Sequence, residues 1–216
     1  MTAADHDVHA ETKMTVHERD FATLAQPIAA WLQGASLVGG PVTVSDLHAP
    51  QGGGMSSVTL LFDATSPDQQ ARPLVARMPP EDTSFPVFPS YDIVQQFEVM
   101  KLVAEHSEVP VPPIVGVDES GDVVGAPFGV MEAVVGRTPT DNPPYVFGGW
   151  LMDATPAERR ELQDKTVAVL AGIHGIADAP TVFSTLAADG EPLRAHVDAL
   201  RDYYEWTRSA DGLRIP

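Results

Sequence analysis

The sequence contains no cysteine, and only three of its 216 residues are lysine. Without cysteine, the chain can form neither disulfides nor thiolate metal sites, and it has no thiolate nucleophile. Thirty acidic residues against 13 basic ones give a formal net charge of -17. Nucleic acids and anionic membranes attract clustered Lys and Arg, and no such cluster is present, so we expect neither as a partner.

No run of apolar residues is long enough to span a bilayer. The longest, residues 123–136, is interrupted by Pro127 and Glu132, whereas a spanning helix needs about 20 apolar residues. The first 13 residues are mostly polar, where a secretion signal has a basic and then an apolar stretch. We therefore expect a soluble cytoplasmic protein in which residues 1–16 form a disordered tail.

The remaining sequence alternates between strand-like and helical patterns. Helical periods occur in residues 21–34 and 91–106, and a later capping box, Thr155 with Glu158, begins a third helix. A fourth helix is predicted from about residue 191 to 208. Short alternating segments bounded by Gly and Pro predict strands at 41–50, 56–64, 72–80, 113–117 and 127–135.

These patterns predict an α+β fold in two parts. Residues 17–135 would form a five-stranded antiparallel sheet with a helix inserted after the third strand. A segment rich in Pro and Gly, residues 137–149, then ends the sheet domain. Residues 136–216 would form a hinge and the first helices of a second, incomplete lobe.

Three features of the sheet domain are candidates for chemistry. Glycines 52–54 precede Ser56 and Ser57 in a turn between strands, where backbone amides can approach a phosphate, although hairpin turns need glycine anyway. Arg77 ends an apolar strand and either faces solvent or reaches an anion. The strand around Glu132 runs into the hinge and leaves backbone groups free, or simply ends there.

The order of glycine turn, strand, cation, helix, strand pair, hinge and helix resembles the N-terminal lobe of protein-kinase-like folds. The segments PFGVMEAVVGR, EHSEVPVPPIVGV and TPAERRELQDKTVAVLAGIHGI are similar to the phosphotransferase family that includes aminoglycoside and homoserine kinases. They are nearest to the branch related to kinase domains attached to acyl-CoA dehydrogenases. This resemblance implies an ATP-binding lobe and transfer of the γ-phosphoryl group to the hydroxyl of a small molecule.

The resemblance also implies the residues of an ATP site. Met131 would line the adenine pocket, while the family's usual Lys and Glu pair is replaced by Arg77 and Gln96, with Glu98 close by in the helix. A neutral amide cannot form that ion pair, which weakens the expected hold on the triphosphate. The site residues that it implies are Gly53, Gly54, Ser56 and Ser57 at the phosphates, Arg77, Gln96, Met131, and the backbones of Glu132 and Val134.

The family's catalytic loop reads His-Gly-Asp, followed by an Asn and a later Asp that hold magnesium. Here His174 and Gly175 are followed by Ile176, and a histidine at a helix end also suits the helix dipole. We therefore expect a truncated kinase without catalytic or metal-binding residues, inactive alone, in which magnesium would need the missing segment. The alternative is a non-catalytic kinase-like interaction module whose exposed helices form a homodimer or bind a partner chain.

Overall fold

The structure is a computed structural model that describes residues 20–37, 40–50, 57–67, 70–81, 88–139, 144–187 and 190–211. The tail predicted for residues 1–16 lies outside these ranges. Three residues of the predicted phosphate loop, Gly53, Gly54 and Ser56, also lie outside them.

Five antiparallel strands form a single sheet, which confirms the predicted α+β architecture. Their spatial order is β1-β2-β3-β5-β4, so the last strand lies between the third and the fourth. The strands are β1 (Thr43–His48), β2 (Val58–Thr65), β3 (Arg72–Met78), β4 (Ile114–Asp118) and β5 (Phe128–Glu132).

Strand β5 ends at Glu132, three residues before the end of the predicted strand 127–135. The amide of the next residue, Ala133, still donates to the Pro73 carbonyl at 3.0 Å. Pro73 has no N–H with which to return a bond. The ladder between β3 and β5 therefore ends there, and residues 133–139 continue without regular structure.

Helices precede the sheet, interrupt it after β3, and follow it. The predicted helix at 21–34 is observed as a short 3-10 turn that continues into α1. The helices are the 3-10 turn Phe21–Leu24, α1 (Ala25–Gly34), α2 (Ile93–His106), α3 (Trp150–Asp153), α4 (Pro156–His174), α5 (Ala179–Val182), the 3-10 turn Ser184–Leu186 and α6 (Pro192–Asp211). Within the described ranges, no helix has the length and apolar character needed to cross a membrane.

The main core lies between α1 and one face of the sheet. Ile28 and Leu32 of α1 are fully buried against a cluster that includes Leu60, Leu74 and Ala76. The strand residues of this cluster are buried because every second residue of β2 and β3 points to this face of the sheet. Each large apolar side chain buried in this way stabilises the fold by about 1.5–3 kcal/mol.

Helix α2 packs on the opposite face through Phe97, which is buried. Gly129 of β5 makes room for it, since a Cβ at this position would lie 2.4 Å from the Phe97 ring. Arg77 of β3 is the residue directly across from Gly129, and side chains of paired residues point to the same face. The Arg77 face of the sheet is therefore the face that α2 partly covers.

The predicted capping box is present at the start of α4. The Thr155 amide and hydroxyl each donate to the Glu158 carboxylate at 2.8 Å, and the Glu158 amide donates to the Thr155 hydroxyl at 3.3 Å. The bond from the Thr155 amide, then that from its hydroxyl, lowers the pKa of the Glu158 carboxyl. Pro156 occupies the first helical position, where its missing N–H costs no hydrogen bond.

The helices that follow the hinge leave much apolar surface exposed. Helix α4 has no buried residue, and Leu193 near the start of α6 is 75% exposed. The other end of α6 contacts the segment before α2, where the rings of Tyr203 and Phe88 lie 6.2 Å apart. Helix α6 therefore contacts another part of the chain near its C-terminal end and is exposed along its first turns.

Replacing Gly129 tests the close packing of α2 on the sheet. We expect Gly129→Ala to lower the free energy of unfolding by about 1–3 kcal/mol, because the added methyl overlaps the buried Phe97 ring. Gly136→Ala is the matched control, since nothing lies within 4 Å of its added Cβ. Urea unfolding of the wild type and both variants measures the difference. Equal stability of the two variants would contradict this packing.

Candidate functional site

Arg77 lies near the end of β3, between Thr59 of β2 and Gly129 of β5. Its side chain is half-buried. One of its terminal nitrogens, Nη2, donates to the Ser57 hydroxyl at 2.9 Å. Ser57 is 8% exposed and immediately precedes β2. The structure thus brings together Ser57 and Arg77, two residues of the site predicted from sequence.

The Nε–H of Arg77 is buried and meets no acceptor among the residues that the structure describes. An arginine stays charged in proteins, so it cannot relieve this burial by losing a proton. A buried cation with an unsatisfied N–H is unfavourable unless an anion approaches it. Phosphate suits this position, because a guanidinium can donate to two phosphate oxygens at once. The side chain therefore fits the phosphate contact that the sequence predicted for it.

Helix α2 does not supply a partner for this arginine. Phe97 points toward the sheet, and its neighbours in the helix project about 100° to either side of it. Gln96 is exposed and Glu98 is half-buried. In the described part of the chain, neither forms a hydrogen bond or salt bridge with Arg77. The contact of Gln96 with a nucleotide stays a prediction.

Met131 lies on the same face of the sheet as Arg77. It pairs with Val75 of β3, two residues from the Arg77–Gly129 pair. Side chains two residues apart on a strand point to the same side, and such diagonal neighbours are about 7–8 Å apart. Met131 is half-buried. The predicted adenine contact and the predicted phosphate contact therefore share one surface.

The backbone at the end of β5 has unpaired groups for a physical reason. The Glu132 amide donates to the Pro113 carbonyl at 2.9 Å. An antiparallel pair of this kind normally returns a bond to the Glu132 carbonyl, but Pro113 has no N–H to donate. The Val134 amide, two residues later, has no hydrogen-bond partner in the described ranges, and Val134 is 72% exposed. A carbonyl acceptor and an amide donor are thus open at the hinge.

A salt bridge that the sequence analysis missed holds the side chain of Glu132. Arg72 donates to its carboxylate from Nη2 at 2.6 Å and from Nε at 3.2 Å. Both side chains are partly exposed, where such a pair contributes at most about 1 kcal/mol. The pair forms because β3 lies beside β5, with Leu74 opposite Glu132. The Glu132 side chain thus joins the hinge to β3, and its backbone remains the group that can contact a ligand.

A cleft of about 630 Å³ lies elsewhere, between the segment after the hinge and α4. Its walls are mainly apolar and include Tyr145, Met152 and Leu162. No lining residue belongs to β2, β3 or β5, so this cleft is separate from the Arg77 face. Among the described residues, no group of three His, Asp or Glu side chains is arranged to hold a metal ion. His174 is the last residue of α4.

Known proteins resemble this chain in sequence and structure. The profile of a phosphotransferase enzyme family (APH) matches residues 53–214. The "Probable acyl-CoA dehydrogenase IBR3" of Arabidopsis thaliana is 26% identical over 137 residues, which are 63% of this chain and 15% of that protein. The crystal structure of a "putative aminoglycoside phosphotransferase" from Ralstonia eutropha JMP134 has a TM-score of 0.48 and 25% identity, and the match covers 73% of this chain and 39% of that one.

The chain spans less than half the length of either relative. The family match covers more than half of this chain. It includes the strands that carry Arg77 and Met131, the hinge with Val134, and the helices beyond it. The chain therefore belongs to the phosphotransferase enzyme family.

Proposed function

We propose that this chain is the ATP-binding part of a small-molecule kinase, which transfers the γ-phosphoryl group of ATP to a hydroxyl group. Membership of the phosphotransferase enzyme family supports the reaction class. One observation carries the ATP site: the buried Nε–H of Arg77 has no acceptor in the described part of the chain. The Arg77 side chain lies on the same face of the sheet as Met131.

In this proposal Arg77 binds the phosphates of ATP. The guanidinium donates through Nε and its remaining terminal N–H groups, while Nη2 keeps its bond to Ser57. A triphosphate brings several negative charges to a protein of net charge -17, so a local cation is needed to offset the repulsion. The predicted phosphate loop, Gly53, Gly54, Ser56 and Ser57, precedes β2 in the sequence and would add backbone N–H donors.

The adenine ring would contact the hinge through backbone groups. Adenine presents an amino donor beside a ring-nitrogen acceptor. The Glu132 carbonyl can accept from the first, because Pro113 has no N–H to pair with it. The Val134 amide can donate to the second, because it has no hydrogen-bond partner in the described ranges. Met131 and Val75 offer half-buried apolar surface for the face of the ring. This arrangement recognises adenine without any specific hinge side chain.

Turnover needs a catalytic base and magnesium ligands, and the family's motif that supplies them does not occur in these 216 residues. The sequence has one His-Gly pair, His174 and Gly175, and it is followed by Ile176 and not by the Asp of the family's catalytic motif. Phosphoryl transfer relies on a positioned base and on magnesium held by Asp and Asn side chains. We therefore place ATP binding in this chain and assign it no catalytic residue. Magnesium would bind to the aspartates of the family's catalytic motifs.

A second candidate function, an interaction module that forms a homodimer, is favoured by α6. Its apolar residues Leu193, Val197, Leu200 and Tyr204 recur at intervals of four, three and four, which places them on one side of the helix. All four are exposed. This is the spacing with which two helices pack side by side, and a second copy would supply an identical stripe.

Charged residues beside this stripe form ion pairs within the helix. Arg194 and Arg201 both donate to Asp198, at 2.9 and 3.0 Å, and Arg208 donates to Glu205 at 2.9 Å. Two copies can therefore approach along α6 with little local repulsion. The net charge of -17 on each chain still opposes association at longer range.

The phosphate contact is tested by Arg77→Ala. We expect the variant to bind ATP about ten- to a hundredfold more weakly, because charge-assisted hydrogen bonds contribute about 1.5–3 kcal/mol and 1.4 kcal/mol is tenfold. Glu98→Ala is the control and should bind like the wild type. Calorimetric titration with magnesium and ATP measures all three proteins. Equal affinities would show that the phosphate site is elsewhere, and a larger loss in Glu98→Ala would move it to α2.

The proposal also predicts binding without turnover. Residues 1–216 should release no ADP and phosphorylate no hydroxyl compound, because the base and the metal ligands provide most of the rate enhancement. Production of ADP is measured with saturating magnesium and ATP and a panel of hydroxylated acceptors. Arg77→Ala is assayed beside the wild type to identify contaminating activity. Turnover that is present in the wild type and lost in the variant would contradict the prediction.

The dimer is tested by placing a charge on the stripe. We expect the wild type to associate more strongly as salt is raised, because salt screens the repulsion between the chains. Leu200→Asp should be monomeric, and Ala199→Asp, which adds the same charge beside the stripe, should behave like the wild type. Light scattering during gel filtration gives the masses. A monomeric wild type at high salt, or equal dissociation of both variants, would argue against the dimer.

A further inference from the structure

We infer that Ser57 is a positioning residue for Arg77 and does the work that a carboxylate on the inserted helix would otherwise do. The inference rests on the proposed ATP site. It concerns how the guanidinium is oriented before a phosphate arrives. The observation behind it is the bond from Arg77 Nη2 to the Ser57 hydroxyl at 2.9 Å.

Ser57 is a buried residue beside the strand that pairs with the strand of Arg77, which allows it to orient that side chain. It is 8% exposed and immediately precedes β2. Two residues later, Thr59 lies directly opposite Arg77 in the ladder between β2 and β3. The pairing of β2 with β3 therefore brings the backbone of Ser57 close to that of Arg77.

Arg77 needs such an anchor because α2 provides none. Gln96 is exposed and Glu98 forms no bond with the arginine in the part of the chain that the structure describes. An unanchored arginine has many rotamers, and fixing one of them on binding costs conformational entropy. The bond to Ser57 restricts the guanidinium beforehand. Its buried Nε–H is then left without an acceptor and free to donate to a ligand.

A hydroxyl and a carboxylate that anchor the guanidinium leave different net charges beside the ligand. A carboxylate brings a negative charge that offsets the positive charge of the arginine. The Ser57 hydroxyl is neutral and accepts the hydrogen bond without offsetting that charge. The full positive charge of Arg77 thus remains for the incoming anion. In a chain of net charge -17, this makes Ser57 the more favourable anchor for binding a phosphate.

The position of Ser57 also links two parts of the site. It is the last residue of the predicted phosphate loop, with Ser56 directly before it. In the proposed site, Ser57 therefore connects the loop predicted to contact the phosphates of ATP with Arg77, which binds the same phosphates. Loss of the Ser57 hydroxyl should affect phosphate binding and leave contacts at the hinge unchanged.

The test compares ATP with adenosine, which has no phosphate. We expect Ser57→Ala to bind ATP about three- to tenfold more weakly, as befits a lost neutral hydrogen bond, and to bind adenosine like the wild type. Ser57→Thr keeps a hydroxyl and should retain the affinity for ATP. Glu98→Ala is the control on α2 and should leave both ligands unaffected. Calorimetric titration measures the affinities, and thermal unfolding confirms that each variant is folded.

A double variant separates positioning from an independent contact. If Ser57 acts through Arg77, adding Ser57→Ala to Arg77→Ala should cause little further loss of ATP affinity. A full additional loss would overturn the inference, as would wild-type ATP affinity in Ser57→Ala or an equal loss for adenosine. In each of these cases, weaker ATP binding by Arg77→Ala would still support the proposed ATP site. Absence of ATP binding by the wild type overturns the proposed function and the inference together.

Discussion

Arg77 carries a permanent positive charge on the face of the sheet that α2 partly covers, and such a charge needs acceptors for its N–H groups. The residues around Arg77 decide where its side chain lies and which of its N–H groups are paired. Gly129, directly across the ladder, has no side chain, so Phe97 can pack there and anchor α2 beside the arginine. Ser57 accepts one N–H from the other side. The Nε–H is left for something that is not a side chain of the described residues.

Two prolines shape the other half of the site. Pro73 on β3 and Pro113 before β4 each accept a bond from the end of β5 through their carbonyls. Neither can return one, because proline has no N–H. The same deficiency therefore ends β5 at Glu132 and leaves backbone groups open for a ligand. The Arg72–Glu132 salt bridge links this end of β5 to β3.

The sheet and the helices that follow it differ in how completely they are packed. The sheet has a helix on each face and a core of fully buried side chains. Helix α4 has none, although its capping box and its i,i+4 salt bridges support it locally. Family relatives are much longer than this chain. Apolar side chains of α4 and α6, such as Val167 and Leu193, are exposed.

Local sequence patterns determined the four longer helices, the five strands and the cap of α4, because each depends on residues close together in the sequence. They did not predict the four-residue helices α3 and α5. The motifs around β5 and the hinge were also sufficient to identify the family, which the profile match confirmed. Which site residues meet was decided only by the tertiary structure. The bond of Arg77 to Ser57 spans 20 residues, and that of Arg72 to Glu132 spans 60. Such contacts depend on strand register, which is set by many weak pairings at once and leaves no signal in any single segment.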